Sequence, residues 1–97
     1  MNNLLIDQTN VDEWKDKYSY VVKVRIELLD HSQSIGYYKA PEDEIINKCI
    51  NLVKQQDIGE ARVFLAQNTW LGGDINQQIK ENHAIPAQAI LWTFTGI

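Results

Sequence analysis

A chain of 97 residues with 44% hydrophobic and 23% charged side chains has the composition of one globular domain and excludes a disordered polymer. Nine basic against thirteen acidic residues give a net charge of −4, and no basic stripe is present to neutralise phosphates, which argues against nucleic-acid binding. Cys49 is the only cysteine, so no intramolecular disulfide and no cysteine-based zinc site are expected.

The cellular compartment is inferred from the same features. The longest apolar run falls well short of the roughly 20 residues of a membrane span, and the start Met1-Asn2-Asn3 lacks the basic residues of a signal peptide. A single cysteine fits a reducing compartment. We therefore predict one domain over residues 1–97, located in the cytoplasm, with no membrane association and mildly acidic character.

The chain begins with a predicted helix. Asn10 followed three residues later by Glu13 is typical of a capping box, and apolar residues then recur at helical spacing, which predicts a helix over about 11–17. A short strand at Leu4–Ile6 is expected before it.

An antiparallel hairpin follows. Residues 20–29 alternate, with Tyr20, Val22, Val24, Ile26 and Leu28 on one face, and this period of two predicts the strongest strand of the chain. A polar turn over 30–34 then leads into a returning strand at 35–40.

The next predicted helix covers about 41–56. Pro41 suits its first turn, three acidic residues follow, and Gly59 comes after its expected end. One broad apolar stripe, centred on Cys49, should pack on the sheet. Cys49 is therefore expected to be a buried and inert thiol.

The last third of the chain predicts two strands and a weaker helix. Arg62–Gln67 is expected to be a short strand, and Asp74 can cap a helix over about 75–82 with Ile75 and Ile79 facing inward. After a turn at Pro86, the largely apolar segment 89–95 indicates an interior strand. The fold class is then α+β: a two-layer sandwich with a mixed or antiparallel sheet of four to five strands and two to three helices mainly on one face.

Catalytic and metal-binding motifs are not apparent. His31 and His83 lie in predicted loops without ligand spacing, so both are expected to be exposed, although either could titrate near neutral pH. Gly72-Gly73-Asp74 stands where a phosphate loop would lie, but no Lys-Ser/Thr pair follows, so a turn with a helix cap is favoured. No catalytic residue, metal site or cofactor is predicted.

A protein-binding surface is the main candidate site. Trp70 lies in a predicted loop outside any apolar pattern, which is typical of a binding residue rather than a core residue. The outward face of the first hairpin adds a mixed-charge and aromatic surface. The candidate partner-binding residues are Trp70, Lys23, Arg25, Glu27, Tyr37, Tyr38 and Arg62; an ordinary solvated sheet face is the alternative for the hairpin residues.

Three functions remain open at this stage. The first is a non-enzymatic protein-binding module, for example a small bacterial or phage inhibitor or immunity protein that occludes another protein. The second is a small-molecule-binding protein or small enzyme, with a pocket between the sheet and the loops of His31, Trp70 and His83. The third is a homo-oligomer, for example a homodimer, because the apolar strand at 89–95 could pair with a second copy.

Overall fold

The computed structural model of the protein describes residues 8–18 and 21–95. Its elements are α1 (Gln8–Lys17), β1 (Val21–Glu27), β2 (Gln33–Lys39), α2 (Asp43–Lys54), α3 (Ile58–Thr69), β3 (Trp70–Gly73), α4 (Asn76–Ile79) and α5 (Glu81–Trp92). The predicted α+β class is confirmed. The predicted four to five strands and two to three helices are wrong for this part of the chain, which has five helices and one antiparallel sheet of three strands in the order β1-β2-β3. The strand expected at Leu4–Ile6 lies outside the described residues.

The β1–β2 hairpin forms where the alternation predicts it. All seven residues of β1 pair with β2 in antiparallel register, and the N–H of Leu28 donates to the carbonyl oxygen of Ser32 at 2.8 Å. This leaves a three-residue loop, 29–31, whose last residue His31 has a left-handed φ of 69°. A three-residue hairpin loop requires that conformation at this position. The inner face of β1 carries its buried side chains, Val22, Val24 and Ile26.

Helix α2 spans Asp43–Lys54, close to the predicted 41–56, and ends in a Schellman motif. The N–H of Asp57 donates to the carbonyl oxygen of Leu52 at 2.9 Å, and the N–H of Gln56 donates to that of Val53 at 2.8 Å. Gln56 supplies the left-handed conformation that this motif needs, with φ of 64°. The Asp57 side chain then accepts from the N–H of Glu60 at 3.4 Å and caps the next helix.

The strand predicted at Arg62–Gln67 is wrong, because these residues lie inside α3. The buried side chains of α3 recur at helical spacing, at Ala61, Leu65, Ala66 and Thr69. Gly59, which was expected to follow the end of α2, lies in the first turn of this helix. The turn at 55–57 is therefore tighter than the sequence suggested, and both helices pack against each other across it.

The strand predicted at 89–95 is also wrong, because α5 continues to Trp92. Its buried positions, His83, Ala84, Ala87 and Leu91, again follow helical spacing. Pro86 lies within this helix, where it cannot bond to the carbonyl of Asn82 in the preceding turn and its ring crowds that carbonyl. The turn expected at Pro86 does not form.

Helix α4 is shorter than predicted, and the side of it that packs inward is not the predicted apolar side. Ile75 and Ile79 were expected to point inward, yet they are 52% and 70% exposed. Gln77 is the buried residue of this helix. A polar side chain therefore occupies the place where the apolar pattern predicted an aliphatic one.

The core lies between the inner face of the sheet and helices α3 and α5. It contains Val22, Val24, Ile26, Tyr38, Cys49, Ala61, Leu65, Ala66, Ala87 and Leu91. Cys49 is fully buried as predicted, its Sγ contacts the carbonyl oxygen of Ala61 at 3.6 Å, and burial raises the pKa of the thiol. Within residues 8–18 and 21–95, no helix is long and apolar enough to cross a membrane.

Candidate functional site

A buried polar cluster joins α4 to the inner face of the sheet. Gln77 is at its centre and is fully buried. The Tyr38 hydroxyl donates to Gln77 Oε1 at 3.0 Å, while Gln77 Nε2 donates to the carbonyl oxygen of Val24 and to Ser34 Oγ, each at 3.2 Å. Burial raises the pKa of Tyr38 to about 12. Every polar group of the Gln77 amide thus has a partner, as buried amides require.

Ser34 links this cluster to Asp74 and His83. Ser34 Oγ donates to Asp74 Oδ2 at 2.6 Å, and His83 Nδ1 lies 3.1 Å from the same oxygen. Burial alone would raise the pKa of Asp74, but the hydrogen bonds from Ser34 and the N–H of Asn76, together with nearby His83, outweigh it and lower that pKa. The ionised Asp74 can only accept, so His83 Nδ1 carries the hydrogen and its Nε2 is the atom left free for other interactions.

His83 lines a groove of about 570 Å³ between the end of β1 and the first half of α5. The groove walls are mostly apolar and include Ile26, Leu28, Leu29 and Pro86, with Glu27, Asp30 and Asn82 as polar members. An aspartate that orients a histidine is one part of a hydrolase triad. The nucleophile is not in place, however, because the buried Ser34 hydroxyl donates to Asp74 and not to His83.

One of the two predicted exposed loop histidines is buried on a helix instead. His31 is exposed in the hairpin loop, as expected, whereas His83 lies on α5 and is 8% exposed. Neither His31 nor Trp70 lines the groove beside His83, so this groove is not the pocket predicted between these three residues. Among the side chains that the structure describes, no three His, Cys, Asp or Glu residues converge as metal ligands.

The outer face of the hairpin brings four of the predicted binding residues together. Lys23, Arg25 and Glu27 are exposed on β1, and Tyr37 lies directly opposite Lys23 on β2. The Tyr37 ring is half-buried because Trp14 of α1 contacts it at a ring-centroid distance of 5.6 Å. Helix α1 therefore covers one end of this face and leaves the Arg25 end open.

Two of the predicted binding residues lie elsewhere. Tyr38 faces the core and has no exposed surface, so it cannot contact a partner. Arg62 lies on α3, where its guanidinium is 6.0 Å from the centre of the Trp92 ring. Its Nε is buried without a hydrogen-bond partner among the described residues. Both errors come from extending the outer sheet face across residues that point inward or are helical.

Trp70 is the first residue of β3 and does not lie in a loop. It pairs with Tyr38, and the two rings meet edge to face with centroids 5.2 Å apart. The side chain is half-buried and packs against the core. Its exposed part can still contact a partner, so that role stays a prediction.

Trp70→Ala is expected to lower the melting temperature, because it removes the aromatic contact with Tyr38 and part of the core packing. Full burial of a tryptophan would make the loss about 3–5 kcal/mol, and half-burial reduces it to roughly 2 kcal/mol. Thermal unfolding followed by circular dichroism measures this. Trp70→Phe, which keeps a ring at the same position, is the control and should lose less than half as much. An alanine variant that melts like the wild type would place Trp70 outside the core.

The free edge of β1 is a feature that the sequence did not reveal. Hydrogen bonds alternate along an antiparallel pair, and the bond from the Leu28 N–H to Ser32 sets the phase. Residues 22, 24 and 26 therefore bond to β2, whereas Val21, Lys23, Arg25 and Glu27 direct their N–H and C=O groups away from it. Since β1 is the first strand of the sheet, these groups lie at its edge.

Helix α5 runs beside this edge. Ile90 is 38% exposed and lines an open cavity of about 390 Å³ together with Lys23, Val24 and Arg25. Pro86, one turn earlier on the same side of α5, lines the groove at the other end of β1. The edge strand and the helix thus flank two successive openings along β1, which we together call the β1–α5 channel.

Comparisons with protein-family models, with curated proteins and with solved structures find no significant match to this chain. The functional conclusion therefore depends on the geometry of the described residues. Two features are available for it: the buried Asp74–His83 pair with its groove, and the β1–α5 channel with the basic residues Lys23 and Arg25 beside it.

Proposed function

We propose that this protein is a non-enzymatic protein-binding module that occludes a partner protein, as small inhibitor and immunity proteins do. The observation that carries the proposal is the edge of β1, which pairs with no other strand within residues 8–18 and 21–95 and has exposed Lys23 and Arg25 on one side and Ile90 on the other. Edge strands with free backbone groups are sites of pairing with other chains unless something covers them. Basic and aromatic residues with apolar neighbours are typical of protein interfaces.

The buried polar cluster supports a structural role better than a catalytic one. Asp74 accepts hydrogen bonds from Ser34, His83 and the N–H of Asn76, and Gln77 ties the same region to β1. These bonds hold α4 and the start of α5 against the sheet. Such fully bonded networks give a fold a unique arrangement, which fixes α5 beside the edge of β1.

The test is affinity capture from the native cell with a charge-reversed variant. Lys23→Glu/Arg25→Glu changes the proposed surface, while Lys54→Glu/Lys80→Glu makes the same change of charge at two other exposed positions, the end of α2 and the link between α4 and α5. We expect the wild type and the second variant to retain one stoichiometric partner, identified by mass spectrometry, and the first variant to lose it. Equal capture by all three proteins, or capture by none, would contradict the proposal.

A second candidate is a small-molecule-binding protein that uses the groove beside His83. Its volume of about 570 Å³ lies in the usual range for ligand pockets, and Asp74 orients His83 toward it. An apolar ligand with a basic group would match the aliphatic walls and the carboxylates of Glu27 and Asp30. Saturation-transfer NMR with a set of apolar amines tests this: we expect binding that His83→Ala weakens, and no binding by any amine would remove the candidate.

A further inference from the structure

We propose that the β1–α5 channel accepts an extended peptide segment as an added fourth strand, in which acidic and apolar residues alternate. This inference rests on the proposed function and specifies its partner. Strand addition at a sheet edge next to a helix is a general mode of peptide recognition, in which backbone hydrogen bonds give affinity and alternate side chains give specificity.

The backbone of β1 presents hydrogen-bonding groups along the edge where such a strand would lie. Val21, Lys23, Arg25 and Glu27 direct their N–H and C=O groups outward, as the alternation of the β1–β2 ladder requires. The strand is seven residues long and contains neither proline nor glycine, so its edge is regular over its whole length. The open cavity between β1 and Ile90 lies along the middle of this edge.

The two faces of the β1 edge favour different side chains in an added strand. On the outer face, Lys23 and Arg25 are exposed, and neither forms an ion pair with another residue in the described part of the chain. Opposite charges directly across a strand pair are stabilising and like charges are destabilising, so an added strand should carry acidic residues opposite Lys23 and Arg25 but not opposite Glu27 at the end of the strand. On the inner face, Ile90 and Pro86 of α5 are the neighbours, so its alternate residues should be apolar.

A second copy of this chain fits the edge less well. Symmetric antiparallel pairing of two β1 edges must pair odd-numbered residues with one another. The register centred on Val24 places Lys23 opposite Arg25 twice, and the register centred on Arg25 places Arg25 opposite Arg25 beside two Lys23–Glu27 pairs, whereas acidic residues opposite Lys23 and Arg25 leave no like-charge pair at these two positions. Like charges directly across a strand pair are destabilising. The homodimer predicted from a strand at 89–95 also loses its basis, because residues up to Trp92 are helical. We therefore commit to a peptide partner.

The experiment titrates the full-length, ¹⁵N-labelled protein with a synthetic octapeptide of alternating glutamate and isoleucine, with isothermal calorimetry as the measure of affinity. We expect binding tighter than about 1 mM and new protection from hydrogen exchange at the amides of Val21, Lys23, Arg25 and Glu27. A scrambled peptide of the same composition, with its four glutamates before its four isoleucines, is the control and should bind at least about tenfold more weakly, because it cannot match both faces.

Two N-methylated peptides test the strand geometry. One carries methyl groups on the glutamate amides and the other on the isoleucine amides, so only one set can lie against β1. Antiparallel addition predicts that methylation of the glutamate amides weakens binding at least about tenfold, whereas parallel addition predicts this for the isoleucine amides. Loss with both sets or with neither would overturn the proposal.

The outcomes separate this inference from the proposed function. If the four edge amides are already protected in the free protein, the edge is occupied and strand addition is wrong. If no peptide binds but the captured partner is still lost on Lys23→Glu/Arg25→Glu, the protein-binding function stands and only the strand mode fails. Dimerisation detected by light scattering without peptide would assign the edge to a second copy and contradict our choice of occupant.

Discussion

Leu65→Asp is expected to unfold the domain. Leu65 is 1% exposed on α3 and belongs to the core that this helix shares with the sheet and α5. A carboxylate there would have no ionic or hydrogen-bonding partner, and burying it costs several kcal/mol. A domain of this size has a total stability of about 5–15 kcal/mol. Circular dichroism at 25 °C and urea titration should show a largely unfolded variant.

Ile58→Asp is the matched control for this prediction. Ile58 is 47% exposed in the first turn of the same helix, where a carboxylate interacts favourably with the helix dipole. We expect its free energy of unfolding to remain within about 0.5 kcal/mol of the wild type. A Leu65→Asp variant with an unchanged urea midpoint would show that α3 does not cover the sheet in the way described.

The hairpin could be predicted because its pattern permits one interpretation. Five apolar residues at strict spacing of two, separated by Lys23, Arg25 and Glu27, cannot form one face of a helix. The helix α2 was predicted for a similar reason, with acidic residues at its start and an apolar stripe along one side. In both elements the apolar side of the pattern faces the interior, but α2 packs against α3 and not on the sheet as expected.

Helices α3 and α5 could not be predicted in this way. Their small buried residues, such as Ala61, Ala66 and Ala87, contribute little apolar signal, while exposed isoleucines such as Ile85 and Ile90 blur the helical stripe. A short apolar run without a clear stripe fits a strand or a helix equally well. Packing against the sheet selects the helix, and that information is not local.

The candidate site also has one part that the sequence could predict and one part that it could not. The exposed Lys23, Arg25 and Glu27 could be predicted because strand alternation alone places them outward. The Ser34–Asp74–His83 contacts could not, because they join residues 40 and 9 positions apart. The channel beside β1 depends on where α5 lies, and the sequence suggested a turn at Pro86 and a strand for residues 89–92 of that helix.

Gly73→Ala is expected to separate β3 from β2 and to lower stability by about 2–4 kcal/mol. Gly73 has a φ of +117°, which side-chain-bearing residues rarely adopt. A methyl group there would lie 2.5 Å from the carbonyl oxygen of Ile35 and 2.9 Å from the Cα of Gly36. Both are backbone atoms of the paired strand, so neither can move without displacing β2.

The damage should extend to the polar cluster, because the N–H of Asp74 donates to the same Ile35 carbonyl at 2.8 Å. Displacing Asp74 would loosen its contact with His83, which the chemical shifts of the His83 ring report. Gly59→Ala is the control: its methyl group meets nothing within 4 Å, and in the first turn of α3 it should stabilise the protein by about 0.4–1 kcal/mol. If the two alanine variants have the same melting temperature, the backbone at Gly73 is not constrained as described. Asp74 is then held by its side-chain contacts alone.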